Sequence, residues 1–242
     1  MNSPQRSNRP VDRAASNAAG VLLIAVPAGF MVCFTALQSR FDYPDVLRKP
    51  AAEVLTLFAE RSGALLPLWY AMFASAVLFI PLSVAVAALS RENRALSRCL
   101  AISGVLAGLV QAIGLSRWVF VVPALAARYV GPATPGERAS IETAFEVLNN
   151  LVGVGIGEHL GYFFTVTWTL LLAWGMRRTR PLFALAGGIS ASAIGAGLLE
   201  PFGVPVVGAV NAIGYTAWSI WLVVLGVLLL RGGRLFPTED VG

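Results

Sequence analysis

The chain has 242 residues, a formal net charge of +5 and a mean hydropathy of +0.72. Only 13% of its residues are charged, against roughly 25% in soluble domains, so the composition excludes an ordinary water-soluble protein. The arginines lie in short clusters between apolar stretches, which is typical of membrane loops and not of a nucleic-acid-binding surface. One histidine and two widely separated cysteines cannot form a zinc site, and no motif indicates any other cofactor.

Residues 1–17 are polar and rich in arginine, which predicts a disordered tail. Six apolar stretches follow, each long enough to cross a hydrocarbon core of about 30 Å as a helix. They cover residues 18–38, 64–89, 99–122, 151–176, 181–199 and 204–230. We interpret the first as a retained span, because it is too long for a signal peptide and no small-residue cleavage site follows it. The fold class is therefore all-α, with one six-helix transmembrane domain over residues 18–231 and a second tail over residues 232–242.

Two amphipathic segments lie between spans on the outer side. After Pro50, Val54 and Phe58 fall on one helical face, and Glu60 lies away from it. Residues 138–149 show a similar pattern before the fourth span. These segments predict short extracytoplasmic helices in the membrane interface, one after span one and one before span four.

The distribution of arginine predicts the orientation of the bundle. The first tail, the loops after the second and fourth spans, and the segment after the sixth span hold 11 of the 18 basic residues. Because cytoplasmic segments carry an excess of Lys and Arg, both termini are predicted to be cytoplasmic. Trp69 and Tyr70 then lie near the outer end of the second span, where aromatic residues anchor helices in the interface.

In this topology the polar residues of the spans gather near the outer end. Arg117 in the third span and Glu158 in the fourth both lie about 27 Å from the inner boundary, at about 1.5 Å per residue. The inner halves consist mainly of Leu, Val, Ala and Ile, so we expect a polar cavity that opens outward. The candidate ligand-binding residues are Arg117, Trp118, Glu158, His159, Tyr162, Glu200, Asn211 and Tyr215.

The fourth predicted span carries two stripes of residues. Glu158, Tyr162 and Thr165 are spaced i, i+4 and i+7, so they share one face of an α-helix. The second stripe consists of small residues at every fourth position, namely Gly153, Gly157 and Gly161. Small residues at this spacing let a neighbouring helix approach closely. We therefore expect the fourth span to be central, with one side packed tightly and another side presenting the acid.

Three motifs carry a resemblance to a known family. They are Gly-Leu-Ser-Arg-Trp-Val-Phe-Val-Val-Pro at residues 114–123, Gly-Glu-His-Leu-Gly-Tyr at residues 157–162, and the segment 211–221 with Asn211 and Gly214. Together they resemble a bacterial multi-pass membrane protein family that is catalogued only as a domain of unknown function. The resemblance covers about residues 18–231. It implies a helical membrane fold in the bacterial cytoplasmic (inner) membrane, and it implies no activity.

Arg117 and Glu158 allow two interpretations. They form a structural ion pair between the third and fourth spans, or they belong to a site in which Arg117 binds an anionic group and Glu158 or His159 handles a proton. His159 also has a plain interpretation, in which its ring reaches water at the interface. Glu200 precedes a Pro-Phe-Gly turn and is either a solvated loop acid or part of the site.

Three functions remain open from the sequence. The protein binds or transports a small or lipid-like ligand in the outward cavity, or it is a membrane enzyme, or it has a structural or regulatory role without a ligand. The catalytic candidates for an enzyme are Glu158, His159 and Glu200, as acid and base on a lipid or isoprenoid. The expected partners are membrane lipid and a small hydrophobic or amphipathic ligand, and no nucleic acid; the sequence does not determine an oligomeric state.

Overall fold

The computed structural model describes residues 13–90 and 92–237, and every regular element within them is a helix. The α-helices are α1 (Arg13–Phe41), α2 (Ala51–Ala88), α3 (Arg94–Phe120), α4 (Val122–Val130), α5 (Pro135–Leu148), α6 (Gly161–Met176), α7 (Pro181–Gly195) and α8 (Val207–Leu230). A π-helix (Asn149–Leu160) joins α5 to α6, and short 3-10 helices cover Asp45–Arg48 and Ala196–Phe202. The all-helical fold class agrees with the prediction.

The ends of the described chain differ from the predicted tails. Residues 13–17 belong to α1, although their polarity predicted a disordered segment. At the other end, residues 232–237 fold back onto the bundle, where the Leu235 and Phe236 side chains are almost completely buried. These two apolar residues explain the difference, because burying them stabilises the returning segment. Residues 1–12 and 238–242, which form the rest of the predicted tails, lie outside the described residues.

Five helical segments within the described residues are long and apolar enough to cross a membrane. They are Arg13–Phe41, Ala51–Ala88, Arg94–Val130, Pro181–Phe202 and Val207–Leu230. The fourth predicted span is not among them, because its α-helical part, α6, has only 16 residues and is too short to cross. The 12 residues before α6 form a π-helix. Residues 149–176 are nonetheless helical without a break. The fold is a membrane-type bundle in which one segment has a geometry that the sequence did not predict.

The long helices run alternately up and down, so each end of the bundle collects helix termini from distant parts of the chain. At one end, the start of α1 packs closely on the end of α8. The contact is so close that a methyl group added to Gly20 would lie 3.1 Å from the Gly226 carbonyl oxygen. The Ser97 hydroxyl in α3 donates to the Ala87 carbonyl at the end of α2, over 2.8 Å. We call this the basic end, because most of its charged residues are arginines: Arg94, Arg98, Arg177, Arg178, Arg180, Arg231 and Arg234. The opposite end is called the outer end.

Helix α2 corrects one predicted boundary. The sequence predicted a short interfacial helix followed by a separate second span, but Ala51–Ala88 is one continuous helix of 38 residues. Its first turns bury the predicted apolar face, since Val54 and Phe58 are fully buried while Glu60 is exposed. Pro67 lies inside the helix without ending it. A proline costs a helix about 3 kcal/mol, and the burial of large side chains around it offsets this cost.

A cluster of aromatic side chains forms the core of the outer end. The Trp69 and Trp118 rings stack with centroids 4.7 Å apart and an angle of 8° between their planes. Phe41 and Phe58 pack against Trp118 at centroid distances of 5.3 and 5.9 Å. Trp69 was predicted as an interface anchor, and this is wrong because its side chain is fully buried. Tyr70, the next residue, is 55% exposed and lies on the outer surface of the bundle.

The start of α5 is held by a capping box. Thr134 accepts a hydrogen bond from the Glu137 amide, and the Glu137 carboxylate accepts one from the Thr134 amide over 2.7 Å. The hydrogen bonds from the backbone and side chain of Thr134 lower the pKa of Glu137. Because this pKa is lower in the folded protein, the stabilisation is present at neutral pH and is lost as the pH falls through the folded value.

Thr134→Ala is therefore expected to lower the free energy of unfolding by about 1 kcal/mol at neutral pH, because the helix loses its N-cap. The difference from wild type should shrink in acid, where protonated Glu137 no longer completes the cap. Thermal or chemical unfolding of the purified protein at both pH values measures it. Ser140→Ala is the matched control, since this exposed hydroxyl bonds only to the Gly136 carbonyl within the same helix. An equal loss at both pH values would contradict the role of Glu137.

Candidate functional site at the outer end

The glycine stripe of the fourth predicted span packs on α3, one glycine against each turn. The Arg117 guanidinium occupies the space beside Gly153 that the side chain of a larger residue would need. The Gln111 side chain occupies the corresponding space beside Gly161. Between them, a methyl group on Gly157 would lie 2.8 Å from the Gly114 Cα atom. The predicted close approach of a neighbouring helix is therefore confirmed, and α3 is that neighbour. The glycines make room for Arg117 inside the bundle.

Arg117 is a buried cation whose contacts are neutral. Its side chain is 4% exposed, and its Nη2 atom donates to the Asn149 Oδ1 atom over 3.2 Å. Its Nη1 atom donates to the Gly114 carbonyl oxygen. The Nε–H group has no hydrogen-bond partner among the described residues. The ion pair with Glu158, one of the two interpretations left open by the sequence, does not form, because no described carboxylate lies within 4.0 Å of the guanidinium. The charges of the two residues nevertheless act on each other.

Glu158 lies near the end of the π-helix, three residues before α6 begins. Its Oε2 atom accepts a hydrogen bond from the Tyr162 hydroxyl over 3.4 Å, so these two residues share a face as predicted. The first part of the predicted span, Asn149–Leu160, does not follow α-helical spacing, because a π-helix bonds each residue to the fifth one along. Short π segments occur frequently at functional sites; this π-helix is longer, at 12 residues, and it contains both Glu158 and His159.

A second group of polar residues lies deeper in the bundle, on α3, α6 and α8. The Gln111 amide donates to the Thr165 hydroxyl over 3.0 Å, and the Tyr215 side chain lies beside Thr165. The Tyr162 and Tyr215 rings approach with centroids 5.9 Å apart. Asn211 is buried and donates to the Ile194 carbonyl at the end of α7, over 2.7 Å. Four of the predicted site residues, Glu158, Tyr162, Tyr215 and Asn211, are thus linked by contacts in this group, since Asn211 and Tyr162 also pack on the same glycine, Gly197.

Glu200 lies in the 3-10 helix after α7 and forms an ion pair with Arg48. Arg48 belongs to the other 3-10 helix, between α1 and α2. The charges of both residues also act on Glu158, so the pair lies at the outer rim of the same cluster. The side chain of Arg48 is 56% exposed and that of Glu200 is 30% exposed. We refer to Tyr43, Arg117, Glu158, Tyr162, Tyr215 and the Arg48–Glu200 pair as the outer polar cluster.

The family described as a domain of unknown function (DUF4386) matches residues 18–231 of this chain. The chain belongs to the DUF4386 family. No curated protein and no solved structure matches it. The match covers the outer polar cluster and all the long helices except the first five residues of α1, and the family description names no activity. The chemistry of this DUF4386 protein must therefore be argued from its own residues.

Tyr43 and Arg48 are members of the cluster that the sequence did not predict. Both lie in the connection between α1 and α2, which reads as a short polar loop with two prolines. The Tyr43 ring packs edge-on against Trp69 at 5.2 Å. Burial raises the pKa of the Tyr43 hydroxyl, the Glu158 charge raises it further, and the Arg117 charge opposes them. The hydroxyl therefore stays neutral at physiological pH and can donate a hydrogen bond.

Two predicted ligand-binding residues, Trp118 and His159, make no side-chain hydrogen bond to the members of the outer polar cluster. Trp118 is fully buried in the aromatic core, and the Arg117 guanidinium lies 5.3 Å from its ring centroid. Its indole N–H has no partner among the described residues. His159 is half-buried in the π-helix, and its side chain makes no hydrogen bond with the described part of the chain. Their roles in binding stay predictions.

The cluster offers acid, base and hydrogen-bond chemistry. Within the described residues, no group of three His, Cys, Asp or Glu side chains could hold a metal ion. Two cavities of about 700 Å³ lie elsewhere, one at the basic end and one between α1 and α2 near Lys49 and Glu53. Glu158, Tyr162 and Tyr215 each keep part of their surface accessible. The outward cavity around them stays a prediction.

Proposed function

We propose that this protein is a six-span inner-membrane protein that binds a small amphipathic ligand at the outer polar cluster. Residues 149–176 form the fourth span along the chain and bring the total to six, because 28 helical residues of π- and α-type reach across a hydrocarbon core even though α6 alone does not. The arginines at the basic end favour a cytoplasmic position for that end and for both termini.

Arg117 carries the proposal. A guanidinium that is 4% exposed in the membrane-spanning part of a bundle is costly, and such charges mark ligand or ion sites in membrane proteins. Two neutral acceptors occupy its Nη atoms, and its Nε–H lacks a partner among the described residues. A carboxylate or phosphate oxygen of a ligand would accept from this group and balance the charge.

The neighbours of Arg117 favour an amphipathic ligand. Glu158 and the hydroxyls of Tyr43, Tyr162 and Tyr215 supply hydrogen-bonding groups for a polar head. The buried aromatic core packs beside them and makes their surroundings apolar. A ligand with an anionic head and an apolar body fits both kinds of surface.

Native mass spectrometry of the full chain, released from the membrane in a mild detergent, tests the proposal. We expect a small molecule that copurifies with wild type and is lost from both Arg117→Met and Glu158→Gln. Gly155→Ala is the matched control, because this position lies on the same π-helix with no atom nearer than 3.5 Å to the added methyl group. If neither charge variant accumulates in the membrane, or if both keep the same bound mass, the proposal is wrong.

Acid–base catalysis is the second candidate function. Glu158 and Glu200 lie close enough for their charges to act on each other, and two such carboxyl groups can serve as acid and base. The same mass measurement separates the two functions. Binding alone returns the copurified molecule unchanged, whereas an enzyme converts it, and Glu158→Gln would then accumulate the unconverted form.

A further inference from the structure

A cavity of about 710 Å³ opens at the basic end of the bundle. It lies between the α2–α3 connection, the end of α6 and the returning segment after α8. Four arginines line the cavity, namely Arg94, Arg177, Arg178 and Arg234, and one acid, Glu92, lies among them. The cavity therefore carries an excess of positive charge, and it is well separated from the outer polar cluster.

The cavity has an apolar wall that the fold holds in place. Phe236 fills space beside Gly175, where a methyl group would lie 2.5 Å from its ring, and the Thr179 hydroxyl donates to the Leu235 carbonyl. Trp174 is 59% exposed at the rim, and the Arg177 guanidinium lies 3.5 Å from its ring centroid. Tryptophan is enriched at the boundary between lipid head groups and acyl chains, and the Arg177 cation stacked on Trp174 is stabilised by the indole ring there.

Two of the arginines are available to an anion. Arg94 and Arg178 are exposed, and neither forms an ion pair within the described residues. A phosphate oxygen accepts hydrogen bonds from a guanidinium in a fork geometry that a lone ammonium does not match. Basic pockets between helices at this side of a membrane bind the head groups of anionic lipids.

We propose that this basic-end cavity binds the phosphate head group of an anionic membrane lipid, with Arg94 and Arg178 on the phosphate and Trp174 beside the first acyl carbons. A lipid fits better than a free phosphate, because the same cavity presents Leu89, Leu96 and Phe236 next to its charges. Its position at the helix ends also puts it at head-group depth. This site is independent of the ligand proposed for the outer polar cluster.

Native mass spectrometry with two matched lipids tests the assignment. The full chain in an uncharged detergent is mixed with equimolar dioleoylphosphatidylglycerol and dioleoylphosphatidylcholine, and the ratio of the two bound lipids is measured. We expect wild type to prefer the anionic lipid by about tenfold, and Arg94→Gln/Arg178→Gln to lose that preference. Arg128→Gln/Arg138→Gln is the control, because it removes two exposed arginines at the outer end and should keep the preference.

Three results would overturn the assignment. They are an unchanged preference in Arg94→Gln/Arg178→Gln, an equal loss in the control variant, and displacement of bound phosphatidylglycerol by an equal concentration of inorganic phosphate. The last would identify a site for free anions. Should the double variant fail to fold, Arg178→Gln alone is expected to reduce the preference about threefold, and an unchanged ratio in that variant counts against the site equally.

Discussion

Gly157→Ala is expected to lower the free energy of unfolding by about 3 kcal/mol, at the upper end of what overpacking costs. The added methyl group would lie 2.8 Å from the Gly114 Cα atom. Backbone atoms cannot rotate away as a side chain does, so α3 and the π-helix must separate along their contact. Gly114→Ala should act in the same way, because its methyl group would lie 2.5 Å from the Gly157 Cα atom.

Thermal unfolding of the purified protein in detergent measures this loss of stability. Gly155→Ala is the control, because it is not expected to lower the stability. Gly155 is exposed on the same π-helix, and an added methyl group meets nothing closer than the Asn150 carbonyl at 3.5 Å. Because alanine restricts the unfolded chain more than glycine does, Gly155→Ala should leave stability unchanged or raise it by up to about 1 kcal/mol. Equal effects at 155 and 157 would show that the close contact is not what limits position 157.

Arg117 and Glu158 are expected to couple energetically although they do not touch. A double-mutant cycle of Arg117→Met and Glu158→Gln should give a coupling free energy of about 1–2 kcal/mol. The physical reason is that Arg117 is buried and Glu158 is only partly accessible, so the dielectric constant between them is low and their attraction extends beyond hydrogen-bond distance. The cycle is measured by unfolding wild type, both single variants and the double variant in the same detergent.

The Arg48–Glu200 pair is the matched control for this cycle. Its side chains touch but are partly exposed, so Arg48→Gln and Glu200→Gln should couple by less than about 1 kcal/mol. Salt should weaken the coupling of this control and leave that of Arg117 and Glu158 nearly unchanged, because solvent ions screen exposed charges most. Additive effects of Arg117→Met and Glu158→Gln would contradict the electrostatic link within the cluster.

Periodicity predicted the parts of the site that depend on one helix face. The glycine stripe could be predicted to pack on a neighbour, because only small residues at every fourth position permit so close an approach. The hydrogen bond between Tyr162 and Glu158 follows from i, i+4 spacing in the same way. Hydropathy predicted where five of the long helices lie along the chain, because each contains an apolar stretch long enough to cross a membrane.

Features that depend on tertiary contacts could not be predicted. Nothing in local sequence distinguishes the π-helix from an α-helix, because its glycines and apolar residues suit both. Tyr43 and Arg48 lie in a polar loop, and only the folding of that loop over the bundle brings them to Glu158. Trp69 was predicted to lie in the membrane interface because it is a tryptophan near the end of an apolar stretch. Instead, its ring stacks on Trp118 and is buried. The excess of aromatic residues on neighbouring helices was the one available signal for this core.

The contact between Gly114 and Gly157 also divides the cluster into a fixed wall and a movable one. Because no side chain lies between the two backbones at this contact, α3 and the π-helix have little room to shift against each other, which holds Arg117 in place. The opposite wall is formed by the two 3-10 helices, which the partly exposed Arg48–Glu200 pair joins. A pair of this kind contributes at most about 1 kcal/mol, which thermal motion overcomes readily. The wall formed by these two short helices is therefore the one that separates at the lower cost.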